Sequence, residues 1–136
     1  MDDNGAGGVV GELEIRAIAD PSELSGVRHR VRSFIENAGG GSDLAADLEL
    51  VVSELATNVI EHTRSPTLTV SVCRAGDHWL VEVSDVADLG ILDHVSLPDQ
   101  TQASGRGLFV VESIVDDIAI VEVGNSYAIR CRIGAA

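Results

Sequence analysis

Two neighbouring segments alternate in the same sense, and they constrain this chain more than anything else in it. Leu68, Val70 and Val72 share one face between Thr67 and Arg74. Trp79, Val81 and Val83 do the same between His78 and Ser84. Ala75-Gly76-Asp77 lies between them and has turn chemistry. Alternation at period two predicts half-buried strands, and the short joint makes them antiparallel neighbours. Such a sheet presents an apolar face that the rest of the chain has to cover.

Further strands are predicted from Glu12 to Ile18, from Ile118 to Val123 and from Tyr127 to Ile133, the last two joined by Gly124-Asn125. The cover comes from helices. Asp20-Pro21-Ser22-Glu23 carries a cap, a proline for the first turn and capping-box spacing. Leu24, Val27, Val31, Phe34, Ile35 and Ala38 follow at helical spacing until Gly39-Gly40-Gly41 ends the run. Ser42 opens a second helix reaching about His62, with Leu44, Leu48, Val51, Val52, Leu55 and Val59 as its stripe. Leu108, Val111, Ile114 and Val115 mark a short third helix after Gly105-Arg106-Gly107. The expected fold class is therefore α/β (α+β): a two-layer sandwich with a mixed, mostly antiparallel sheet covered by helices on one face. Residues 1–10 read as a tail and residues 11–134 as a single domain. With 136 residues, the chain has room for one sizeable core.

Charge removes several function classes. All nine basic residues are arginine, against 22 Asp and Glu, for a net charge of -13. A surface this acidic repels nucleic-acid backbones and anionic membranes. The absence of lysine removes a P-loop. A bound nucleotide remains open, because backbone N–H groups and one arginine can hold phosphates locally. Cys73 and Cys131 lie in apolar strand-like runs and read as buried free thiols. His29, His62, His78 and His94 have no partner at metal-ligand spacing, so no structural zinc site is expected. No secretory-type segment and no run of about 18 apolar residues is present, and the expectation is a cytoplasmic protein.

Three features could carry chemistry. Glu54 and Asn58 lie one turn apart beside the stripe of the second helix, at the border between core and solvent. An Asn amide oxygen can ligate Mg²⁺, and a Glu one turn earlier can act as general base. Asp85 directly follows a strand, where a carboxylate could accept from the amine of an adenine. Ser104-Gly105-Arg106-Gly107-Leu108 brings glycines and an arginine to a helix start, where phosphates are favoured. Each feature also has an ordinary structural reading: a polar helix flank, a turn-closing Asp, a loop end. On that reading Asn58 and Asp85 would face different surfaces.

Taken together, their order and placement resemble the GHKL ATPase superfamily, whose fold is that of the histidine kinase-like ATPases. The run Glu54-Leu55-Ala56-Thr57-Asn58-Val59-Ile60-Glu61-His62 is most similar to the bacterial anti-sigma factor serine kinases. The resemblance implies ATP and Mg²⁺ as cofactors. It gives Glu54 the role of general base, Asn58 that of Mg²⁺ ligand and Asp85 that of adenine reader. It places Gly105, Arg106, Gly107 and Leu108 beside the phosphates, and makes residues 86–104 an ATP lid. It implies a protein serine/threonine kinase that phosphorylates an anti-anti-sigma partner and holds a sigma factor inactive, commonly as a homodimer.

One stretch departs from the family pattern of Asp-x-Gly-x-Gly. Here it reads Asp85-Val86-Ala87-Asp88-Leu89-Gly90, with Gly90 one place late. Glycine lets the backbone pass close to a nucleotide. Ala87 adds only a methyl, whereas Leu89 adds bulk and Asp88 adds negative charge. A second reading follows: a regulator of the same fold that sequesters a sigma factor or another partner without transferring phosphate.

Overall fold

A computed structural model of the chain describes residues 9–63, 65–85, 106–123 and 126–134. Among these residues the order is β1 (Val9–Ile18), a 3-10 turn (Pro21–Glu23), α1 (Leu24–Asn37), α2 (Ser42–His62), β2 (Thr67–Ala75) and β3 (His78–Ser84). Then follow α3 (Arg106–Ile114), β4 (Asp117–Val123) and β5 (Ser126–Gly134). The five strands form one sheet in the order β1-β2-β3-β5-β4. Every pairing is antiparallel, so no parallel strand enters the mixed sheet that was expected.

The register puts one apolar set on one face. Ile15 pairs with Val70, Val70 with Val83, Val83 with Ile129, and Ile129 with Ile120. Val70, Val83 and Ile129 are fully buried. The cover is α2, whose Leu48, Val51, Val52, Leu55, Ala56 and Val59 are fully buried, with Val27, Val31 and Ile35 of α1 and Val111 of α3 beside it. Each buried branched side chain contributes about 1.5–3 kcal/mol. This aliphatic stripe does the work that the few aromatic residues cannot.

The helix starts and stops follow local chemistry. Asp20 caps the first turn by accepting the Ser22 N–H at 3.0 Å, with Pro21 in the first position. That turn is 3-10 and not the first turn of α1, because the Glu23 N–H bonds the Asp20 carbonyl three residues back at 2.8 Å. At the other end, the Gly40 N–H reaches the Ile35 carbonyl at 2.8 Å and the Gly39 N–H reaches Glu36 at 3.3 Å. With Gly39 at φ +98°, this is a Schellman stop. Arg74 locks it from the sheet: its Nη1 donates to the Ala38 carbonyl at 2.9 Å while its guanidinium lies over the Trp79 ring. The α1–α2 pair is further joined by Arg32 to Glu49 at 2.6 Å.

The hairpin between β2 and β3 closes over Gly76-Asp77, where Gly76 supplies a positive φ of 64°. The β4–β5 joint at Gly124-Asn125 lies outside the described residues. Cys73 and Cys131 are buried and free. Cys131 shares the inner face with its partner Val81, whereas Cys73 points to the opposite face with Leu80. Burial pushes both thiols up, Cys131 to about 12.

Gly39 and Gly26 give opposite expectations for the same change. Gly39→Ala forces a side chain into a positive φ and against the Arg74 guanidinium, which stands 2.8 Å from an added Cβ. It should cost about 1–2 kcal/mol in urea unfolding. Gly26 lies in α1 with nothing within 4 Å of an added Cβ. Gly26→Ala should stabilise by about 0.5–1 kcal/mol. Equal effects of the two changes would contradict this account of the α1 stop.

Candidate functional site

The covered sheet and α2 fix where the polar groups emerge. Leu55 and Val59 point into the core, so Glu54 and Asn58, one turn apart, are left half-buried at its margin. That margin lies beside the start of β5 and the end of β3. There the Asn58 Nδ2 donates to the Tyr127 hydroxyl at 2.6 Å. The Tyr127 N–H donates to the Asp85 Oδ1 at 3.0 Å, and the Asp85 N–H returns a bond to the Tyr127 carbonyl at 3.0 Å. Asn58 and Asp85 therefore meet through one residue, and do not face different surfaces.

Asp85 is a carboxylate only 7% exposed. Such a group needs partners. Its Oδ1 is taken by Tyr127, and among the described residues its Oδ2 carries no hydrogen bond, so that lobe is the one left to accept from a ligand. The carbonyl of Asp85 is fixed from the far side by Ser65. That hydroxyl lies 3.0 Å from the Asp85 carbonyl and 2.9 Å from the Thr67 carbonyl. One hydroxyl has one proton, so the bond is shared between the two acceptors. Ser65 thereby ties the exit of α2 to the end of β3.

Asn58 uses its amide nitrogen on Tyr127, which leaves its oxygen as the end available to accept. Glu54 stands one turn earlier, and among the described residues no ion pair holds it. Among the described residues, no cluster of three or more His, Cys, Asp or Glu could hold a metal by itself. The donor set is hard oxygen from one amide and flanking carboxylate. It fits a cation that arrives with phosphates and takes few protein ligands, as Mg²⁺ does.

The remaining expected site residues divide in two. Ala87, Gly90, Gly105 and the lid, residues 86–104, lie outside the described residues. Arg106, Gly107 and Leu108 form the first turn of α3, so Arg106 and Gly107 belong to the helix and do not precede it as a loop. A glycine in a first turn costs little, because the N–H groups there have no helical partner in any case. α3 packs on α2 through Val111, with Ile114 against the same core.

Tyr127 was not singled out by spacing or motif. Its signal was nonetheless present: it is the chain's sole tyrosine, set at the inner-face position of β5 two residues before Ile129. A buried tyrosine places its hydroxyl near a partner. Ser65 left no comparable signal, because serine in a short connection is ordinary.

The fold and site define a two-layer domain in which a helix-borne Asn, one turn after a Glu, meets a strand-end Asp through Tyr127. The chain belongs to the histidine kinase-like ATPase domain family, whose model matches residues 17–131. It is 24% identical over 123 residues to the serine-protein kinase RsbW of Staphylococcus aureus, covering 79% of this chain and 77% of that one. Among solved structures, the RsbU and RsbW domains of Rv1364c from Mycobacterium tuberculosis superpose with a TM-score of 0.70 at 19% identity, covering 92% of this chain. The match spans only 32% of that longer chain. The SiaB-SiaC complex from Pseudomonas aeruginosa superposes with a TM-score of 0.65 at 15% identity, over 93% of this chain and 90% of that one.

The Asp85 contact predicts a contrast between two variants. Asp85→Ala leaves the Tyr127 N–H buried without its acceptor and should cost about 1–3 kcal/mol in urea unfolding. Asp85→Asn keeps an oxygen at the same place and should cost clearly less. Equal losses would show that the Tyr127 bond is not what Asp85 contributes to the fold.

Proposed function

We propose that this protein is an ATP-dependent protein serine/threonine kinase of the anti-sigma type, acting by partner switching. The observation that carries the reading is the joined set Asn58–Tyr127–Asp85 beside Glu54, on a histidine kinase-like ATPase fold. The free lobe of Asp85 accepts from the adenine amine. The oxygen of Asn58 would hold the Mg²⁺ that comes with the phosphates, the first turn of α3 offers backbone N–H groups to them, and the family resemblance gives Arg106 a phosphate-binding role. When bound, Mg²⁺ neutralises developing charge on the transferred phosphoryl group.

Glu54 takes the proton from an incoming Ser or Thr hydroxyl. That oxygen bonds to the γ-phosphorus as the bond to the β–γ bridging oxygen breaks, and ADP leaves. The hydroxyl belongs to an anti-anti-sigma partner, and the sigma factor is the regulated protein. The resemblance to a serine-protein kinase and to a protein of a two-component complex supports this choice. β1, one of the two edge strands of the sheet, is a natural place for self-pairing in a homodimer. Among the described residues no helix is long and apolar enough to cross a membrane. A cytoplasmic site of action belongs to the same reading.

A second reading is favoured by Ala87 and Leu89, which stand where the family pattern has glycine. On it the protein binds its partner without transferring phosphate.

Calorimetry with Mg-ATP separates the two. The kinase reading expects saturable binding that Asp85→Asn abolishes. It also expects Glu54→Gln to keep nucleotide binding and lose phosphotransfer to the partner by about 10²-fold or more. Absence of binding at millimolar Mg-ATP would leave the partner-binding reading. Full phosphotransfer by Glu54→Gln would remove Glu54 as general base.

A further inference from the structure

The reading above assigns Asn58 to the cation and Asp85 to the base, but gives no role to the residue that touches both. We propose that Tyr127 is a positioning residue: its hydroxyl fixes the Asn58 amide with the oxygen toward the nucleotide-bound Mg²⁺. This rests on the nucleotide-binding reading of the site.

An asparagine amide has two ends of nearly equal size, and only the oxygen can ligate a cation. Its terminal torsion is broad and roughly two-fold, so the side chain alone does not choose. Tyr127 holds the amide by accepting from Nδ2 at 2.6 Å, and because a phenol can also donate, it is the cation on the oxygen that leaves Nδ2 as the end Tyr127 binds. A cation drawing on the amide oxygen makes that N–H a stronger donor. Ligation and hydrogen bond therefore strengthen each other.

The tyrosine can serve as a reference point because it is itself held. It is 6% exposed, and its N–H and C=O both bond to Asp85. β4 pairs it from the other side through Glu122. The two ends of the site are thus reached by different parts of one residue. Asn58 depends on the side-chain hydroxyl, and Asp85 on the main chain. A single oxygen atom can be removed without disturbing the Asp85 end.

Tyr127→Phe is that change. It keeps the ring in the core and both main-chain bonds, and removes the hydroxyl that Asn58 donates to. ATP affinity is measured by calorimetry twice, with Mg²⁺ and with EDTA, for the wild type, Tyr127→Phe, Asn58→Ala and the double variant. Outer-sphere partners of a metal ligand typically carry about 10–100-fold in metal affinity. Tyr127→Phe is expected to lose on the order of 10-fold of the Mg²⁺-dependent gain, while its affinity in EDTA stays within about twofold of wild type. The double variant should lose no more than Asn58→Ala, since the two residues act as one unit. A merely structural role would weaken both conditions alike.

Tyr127→Phe with the full Mg²⁺-dependent gain, while Asn58→Ala loses it, overturns the positioning role and leaves the site reading intact. If Asn58→Ala keeps the gain, or the wild type binds no nucleotide, the site reading itself fails and takes the inference with it. Should Tyr127→Phe unfold, Tyr127→His offers a ring with its own polar edge. Retention of the Mg²⁺-dependent gain by that folded variant supports the role, and equal weakening of ATP binding with Mg²⁺ and with EDTA overturns it.

Discussion

The packing of α2 across the inner face of the sheet is the contact from which the rest follows. Six of its side chains between Leu48 and Val59 are fully buried. A helix held by such a stripe has no freedom to roll. Rotating it by one residue, about 100°, would drive Glu54 or Asn58 into an aliphatic core with no polar partner, at a cost of several kcal/mol. The chemistry of the margin is therefore set by the apolar residues beside it. The α1 stop, the Arg74 lock and the Ser65 tie hold this helix against the strands that carry Asp85 and Tyr127.

Electrostatics sharpen the same picture. A chain with a net charge of -13 offers little general attraction to a polyanion. Any phosphate that it holds must be held by local donors, such as a helix start or one arginine, or by a cation that arrives with the ligand. Asn58 suits the last case well. It is neutral, so in the proposed role it would ligate a cation without adding another negative charge near the phosphates.

Much of this was legible in the sequence, for identifiable reasons. Alternation in β2 and β3 reported the sheet and its buried face, because one face packs and the other does not. The stripe of α2 reported the helix and put Glu54 and Asn58 at its border. Where the sequence reading fell short, long-range geometry decided. Nothing local indicates that Tyr127 lies against a helix 69 positions earlier. The first turn after Asp20 came out as 3-10, since capping residues allow either bond pattern. Ala87, Gly90 and Gly105 lie outside the described residues.

The central claim is that Asn58, Tyr127 and Asp85 form one nucleotide site. Nuclear magnetic resonance on ¹⁵N-labelled protein titrated with Mg-ATP tests it most directly. The account predicts that the Asn58 side-chain amide and the Tyr127 backbone amide shift together, saturating with a single affinity. Saturable shifts elsewhere, with both of these signals unmoved, would contradict it.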